Sequence, residues 1–148
     1  MDIHYEFIPR NEVSKYISLI KQWDSKKYFT REYDEDLFAL FSTSIGCFLD
    51  EELIGYGQVQ YLPVLSNSSV KINLSCILSP KYRNQGIGTK FLRQILLYCK
   101  ERFGEEKSVT AEILKKNKAS ISLVEKNEFD FKYFDSKKIV YEKKLINV

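Results

Sequence analysis

The residues best placed to do chemistry lie in one stretch, Leu78-Ser79-Pro80-Lys81-Tyr82-Arg83-Asn84-Gln85-Gly86-Ile87-Gly88-Thr89. It follows an alternating run that ends at Leu78 and precedes a long amphipathic run. Gly86 and Gly88 allow a sharp turn and leave no Cβ between the backbone amides and a ligand. The first N–H groups of a helix have no partner inside it, and with the helix dipole they attract an anion such as phosphate or pyrophosphate. Arg83 adds a cation beside them. Two familiar nucleotide motifs do not fit. GxxxxGK[ST] is absent, and a GxGxxG pattern fails because Phe91 stands where the third glycine belongs. Glu105, the nearest acidic residue at ribose-binding distance, falls in a turn.

Other reactive side chains argue by exclusion. Cys47, Cys76 and Cys99 are widely spaced in apolar surroundings, and His4 is the single histidine. No CxxC pair or Cys/His cluster suggests a metal centre, so none is expected, and an odd set of thiols does not make a disulfide framework. Packed reduced thiols suit a cytoplasmic protein. Met1-Asp2-Ile3-His4 opens without a basic and apolar leader, and no apolar run approaches the roughly 20 residues of a membrane helix.

The elements that must hold the loop follow from periodicity. Ile3 to Ile8 reads as a strand stopped by Pro9. Asn11 is placed to cap a helix reaching Trp23, with Val13, Tyr16, Ile17 and Ile20 on one face. A second helix is expected over Tyr33 to Phe41, its acidic start Asp34-Glu35-Asp36 suiting the helix dipole. Ile45 to Leu49 and Leu53 to Leu62 flank the polar turn Asp50-Glu51-Glu52 as a hairpin. A loop over Pro63 to Ser69 leads to the alternating strand Val70 to Leu78. Phe91, Leu92, Ile95, Leu96, Cys99 and Phe103 then form the stripe of a helix from Gly88 to Phe103, closed by Gly104. Lys107 to Leu114 is a strand, and Asn117 caps a short helix ending near Lys126. Phe129 to Phe134 and Ile139 to Leu145 complete a hairpin around Asp135-Ser136-Lys137. The expected order β-α-α-β-β-β-α-β-α-β-β gives an α/β fold with one central sheet, in a single domain over 148 residues.

Net charge is +3 but unevenly spread. Residues 1–69 carry 6 basic and 11 acidic side chains, a balance of −5, whereas residues 70–148 carry 17 and 9, a balance of +8. The basic half invites an anionic partner. Nucleic acid is the first class to test, yet Lys115, Lys116 and Lys118 lack interleaved aromatics, so neither nucleic acid nor membrane is expected as a partner.

Arg83-x-x-Gly86-x-Gly88, between strand-Ser79-Pro80 and Thr89-Lys90-Phe91-Leu92, resembles the acetyl-CoA signature of the GNAT superfamily of N-acetyltransferases, (Arg/Gln)-x-x-Gly-x-(Gly/Ala). Downstream, Ala111-Glu112-Ile113-Leu114 and Asn117-x-x-Ser120-Ile121-x-Leu123-x-Glu125-Lys126-x-x-Phe129 look like the family's strand, asparagine and short helix. The element order matches from Ile3 to Leu145. The resemblance implies a mixed, mostly antiparallel central sheet flanked by helices and acetyl-CoA as co-substrate. Asn84, Gln85, Gly86, Ile87, Gly88 and Thr89 would hold its pyrophosphate through their amides, with Arg83 near it. Ile77 and Leu78 would lie against the pantetheine arm, and a backbone N–H near Leu78 would polarise the thioester. Asn117 matches the family's asparagine near the thioester, and a plain helix cap is an equal reading.

The implied reaction is direct acetyl transfer to a primary amine of a small molecule, an amino sugar or a protein N-terminus. Here the sequence departs from the pattern. Val124 stands where the family often has an acidic tyrosine, so Tyr133, with Tyr98 second, is the candidate acid. The strand before the loop offers Asn73 and Ser75 and no carboxylate, so Glu112 is the candidate base, acting through water. Glu128 replaces the glycine before Phe129, and a different turn is expected there. Trp23, Tyr28, Phe29, Tyr56, Tyr61 and Tyr133 are candidates for the acceptor wall. A monomer or a homodimer suits the chain, and a binder of acetyl-CoA that has lost catalysis is the competing reading.

Overall fold

The computed structural model describes residues 2–24, 42–64 and 69–148. The helix expected over Tyr33 to Phe41 and the wall candidates Tyr28 and Phe29 lie outside them. The strands are β1 (Ile3–Ile8), β2 (Ser42–Leu49), β3 (Glu52–Val64), β4 (Ser69–Leu78), β5 (Ser108–Leu114), β6 (Asp130–Phe134) and β7 (Lys138–Lys144). The helices are α1 (Ser14–Trp23), α2 (Ile87–Phe103) and α3 (Lys118–Lys126). The strands form one sheet in the order β1-β2-β3-β4-β5-β7-β6. Every neighbouring pair is antiparallel except β4 and β5, which run parallel around α2 as a βαβ unit. The expected mixed, mostly antiparallel architecture is therefore present.

Alternation assigns the faces of the sheet. Ile72 and Leu74 of β4, with Cys76 and Leu78 at the margin, join Phe91, Leu92, Ile95, Leu96 and Cys99 of α2 and Val124 of α3 in the larger core. On the opposite face Ile77, Tyr56, Leu53 and Phe48 pack with Ile8 and with Ile20 and Trp23 of α1 in a smaller core. Among the described residues no helix is long and apolar enough to cross a membrane.

Three local expectations are corrected. Asn11 does not cap α1: Glu12 N–H donates to Pro9 O at 2.8 Å, a 3-10 turn covers Arg10–Glu12, and α1 begins after Val13 without a side-chain cap. Pro63 lies within β3, not in a loop. It is paired opposite Val70, and the register turns its nitrogen away from β4, so the missing N–H breaks no bond of that ladder. Glu128 does not force a different turn. Its φ is 60°, the left-handed conformation a glycine would adopt. Glu128 N–H reaches Glu125 O at 3.0 Å and Phe129 N–H reaches Val124 O at 3.0 Å, the two bonds of a Schellman cap. Phe129 and Val124 share the larger core, and that apolar contact holds the strained residue in place.

Candidate active site

The site begins as a defect in the sheet. β4 is paired with β3 along its whole length, and β5 with β7 along its whole length. Between them pairing is limited to Ile72 with Val109 and Asn73 with Thr110. From Leu74 and Ala111 onward the two strands part. Their carboxyl ends lead to the two motifs, the glycine loop after β4 and Asn117 after β5. Ser79 N–H donates to Ile54 O at 2.8 Å. Alternation then turns the odd-numbered backbone groups of β4 toward β3, and those of Leu74, Cys76 and Leu78 toward the gap. Thr110 Oγ1 donating to Ile72 O at 3.3 Å agrees with this phase. Of the two strand residues singled out in the sequence, Leu78 faces the gap with its backbone. Ile77 turns its backbone to β3 and its side chain into the smaller core. Cys76, which the sequence reading passed over, shares the orientation of Leu78.

At the loop, Gly86 has a φ of 81° and precedes α2 as a cap that makes no side-chain hydrogen bond. Asn84 is also left-handed, with φ 61°. The amides of Ile87, Gly88 and Thr89 thus open the helix with no capping side chain over them. A Cβ on Gly86 would meet nothing within 4 Å, so the requirement there is conformational. A Cβ on Gly88 would lie 3.0 Å from Leu78 Cδ1 and 3.4 Å from Leu123 Cδ1, so there it is steric and joins the loop to β4 and α3. Gln85 Nε2 donates to Lys81 O at 3.2 Å, within the loop. Thr89 accepts at its carbonyl from Asn127 Nδ2 at 3.4 Å.

Arg83 has a defined architectural task. Its Nε and Nη2 donate to Leu78 O at 3.1 and 3.0 Å, and Nη2 also reaches Trp23 O at 2.9 Å. The guanidinium ties the end of β4 to the last turn of α1. Burial lowers its pKa, opposed by Asp24, and an arginine stays charged in such a place. Asn117 is buried and accepts Ser120 N–H at 3.2 Å through Oδ1, as a cap of α3 does.

The candidate acid and base are arranged less simply. Glu112 projects from the face opposite Ala111 and Ile113. Its Oε1 lies 2.6 Å from Lys138 Nζ, and its Oε2 accepts from Asn73 Nδ2 at 3.3 Å. Asn73 in turn accepts from Thr110 Oγ1. Burial raises the Glu112 pKa, but the bond and charge of Lys138, with Asn73 and Lys71, outweigh it and leave the carboxyl below its ordinary value. Glu112 is therefore ionised and a weak proton acceptor at neutral pH. Tyr133 is half-exposed opposite Val140 on β6, on the face of Glu112 but two strands beyond β5, roughly 10 Å away at the usual strand spacing. Tyr98 donates to Thr43 Oγ1 at 3.2 Å and packs edge-on against Phe7, away from the gap. Val124 is packed in the core.

Thiol chemistry is disfavoured as well. Burial pushes the Cys76 and Cys99 thiols up to about 12 and Cys47 to about 11, so all stay protonated near neutrality. Among the wall candidates, Trp23 and Tyr56 are buried in the smaller core, and Tyr56 OH lies 2.6 Å from Ser44 Oγ. Tyr61 turns to the other face, against Phe103 and Arg102. The sequence reading also missed Gln60. It is buried, and among the described residues its Nε2 has no hydrogen-bond partner. The signal was present as Gln58 and Gln60 alternating with apolar residues on a strand. Among the described residues no group of three or more His, Cys, Asp and Glu side chains could hold a metal ion.

The comparisons agree with this geometry. The profile of the acetyltransferase (GNAT) family matches residues 8–129. An N-acetyltransferase from Staphylococcus aureus Mu50 superposes with a TM-score of 0.78 at 15% identity, covering 99% of this chain and 100% of that one. The paia N-acetyltransferase from Thermoplasma acidophilum, in complex with coenzyme A, has a TM-score of 0.75 at 18% identity over 97% of this chain and 99% of that one. For yncA from Salmonella typhimurium with its cofactor acetyl-CoA the values are 0.72 and 13%, over 97% and 94%. No curated protein matches the sequence. The structural likenesses speak for the fold, and the family profile, spanning most of the chain, carries the assignment: this chain belongs to the GNAT family of acetyltransferases.

Proposed function

We propose that the chain, as a single domain, transfers the acetyl group of acetyl-CoA to a primary amine. The observation that carries this reading is the gap between β4 and β5, with backbone groups of Cys76 and Leu78 along one side and uncapped amides of Ile87, Gly88 and Thr89 at its mouth. These residues fit the cofactor: a strand edge suits an amide-bearing arm, and the start of α2 suits a pyrophosphate. When bound, acetyl-CoA would supply an activated acetyl group as a thioester. A gap-facing N–H of Leu74 or Cys76, nearer the closed end of the gap than Leu78, would donate to the carbonyl oxygen as negative charge builds on it. The amine arrives neutral, its nitrogen forms the new C–N bond, the C–S bond breaks, and the nitrogen gives up one proton.

Neither proton transfer needs a dedicated side chain. Thiols are far stronger acids than alcohols, a cysteine side chain titrating at about 8.5, so the departing thiolate would be stable enough to take its proton from water. Glu112, held by Lys138 and Asn73, orients the polar face of the gap rather than accepting the amine proton directly. Supplying acetyl-CoA with a panel of primary amines tests the reading: CoA thiol should appear only with an accepted amine. The product should be an amide by mass and stable to hydroxylamine. Thiol release without an acetylated amine would overturn it. The buried position of Val124 favours a second reading, an acetyl-CoA binder without turnover. That protein would bind acetyl-CoA and release no thiol with any amine.

A further inference from the structure

Polar side chains gather on the α1-facing side of the sheet where folding alone gives them little reason to be. β3 is paired so that Gln60 lies between Ser42 of β2 and Asn73 of β4, and Gln58 between Ser44 and Ser75. Cross-strand partners share a face, so these side chains form two polar rows. Two members have side-chain partners on this face. Ser44 is bonded to Tyr56, and Asn73 to Thr110 and Glu112. Gln60 is different. It is only 5% exposed, yet among the described residues its Nε2 has no partner. Unpaired buried donors are rare because they lose water and gain nothing in exchange. Its position is informative, since Asn73 directly opposite is the last β4 residue paired with β5 before the gap opens.

We propose that Gln60 is the acceptor-recognition residue of this enzyme: its carboxamide donates a hydrogen bond to a carbonyl or carboxylate oxygen that the amine substrate carries beside its reacting nitrogen. The proposal rests on the acetyltransferase reading above and narrows it. α-Amino carbonyl compounds, such as amino-acid amides and peptide N-termini, become the favoured class over plain alkylamines. A site built to donate to an oxygen discriminates strongly against an analogue lacking it, because the donor is then left buried and unpaired.

Glycinamide and isobutylamine share a heavy-atom skeleton, and only glycinamide offers the oxygen. Their kcat/KM values are compared in wild type and in Gln60→Leu, with Gln60→Met as a second apolar replacement. The change in their ratio between variants cancels the different basicity of the two amines. The expected result is a loss of tenfold or more for glycinamide and a change within about twofold for isobutylamine. Acetyl-CoA affinity by calorimetry should be unaltered, and the melting temperature unchanged or higher, because removing an unpaired buried amide does not destabilise. A binding readout accompanies the kinetics. The side-chain amide signals of Gln60, identified by their loss in Gln60→Leu, should shift when glycinamide is added to the CoA-bound protein and stay in place with isobutylamine. Equal losses for both amines, no loss for either, or a large fall in melting temperature would overturn the assignment and make Gln60 structural or idle. Absence of turnover with retained acetyl-CoA binding would overturn it in favour of the silent binder, and absence of acetyl-CoA binding would remove the acetyltransferase reading itself.

Discussion

Glu128 holds a left-handed φ of 60° that costs a non-glycine residue about 1–2 kcal/mol, and the Schellman bonds around it maintain that conformation. Glu128→Gly should therefore raise stability by up to about 1 kcal/mol after its own gain in unfolded-state entropy, read from urea denaturation, whereas Glu128→Val should lower it. The position was misread from sequence because a replaced glycine suggests a replaced turn, yet the turn is dictated by Val124 and Phe129 in the core. Glu112 makes a pH-dependent contribution. Its folded pKa is lowered, so its stabilisation is present above the ordinary carboxylate pKa and disappears as pH falls through the folded value. Glu112→Gln should cost under about 1 kcal/mol at neutral pH, and nothing in strong acid. It should leave the shape of the pH profile of kcat/KM intact if the acidic limb belongs to the amine. A shifted limb would restore Glu112 as the base.

At the scale of elements, the strands and α2 were legible because burial imposes periods of two and 3.6 that survive in Val70 to Leu78 and in the Phe91-to-Phe103 stripe. The start of α1 was not, since Pro9 seeds a 3-10 turn before the helix can use Asn11. The parting of β4 from β5 was implied by the family resemblance and not by periodicity, because it depends on how far two distant segments stay paired. The glycine loop was legible in composition while the task of Arg83 was not. Its bonds to Leu78 O and Trp23 O depend on where α1 ends in space. Arg83→Met should raise KM for acetyl-CoA and lower the melting temperature together, and Arg83→Lys should fail to rescue either, because one ammonium cannot reproduce the guanidinium geometry. Asn117→Ala removes the α3 cap and should cost about 1 kcal/mol by denaturant titration.

Across the whole molecule, the −5 and +8 halves of the chain become a division of labour under the proposed function. The basic half holds the loop, α2 and α3, the parts assigned to an anionic co-substrate. The acidic half contributes α1 and the β2-β3 hairpin, whose face carries Gln60. Under the proposed function, the start of α2 beside the gap binds the pyrophosphate of acetyl-CoA. Gly86 allows a direct test, since a Cβ there meets nothing within 4 Å, and asparagine and aspartate are among the side chains found at positive φ. The decisive measurement is calorimetric titration of acetyl-CoA into wild type, Gly86→Asn and Gly86→Asp. The expected result is binding to wild type, a modest loss in Gly86→Asn, and at least a further tenfold loss in Gly86→Asp, where a carboxylate is added at the anion site. Equal affinities for the two variants, or no binding to wild type, would contradict it.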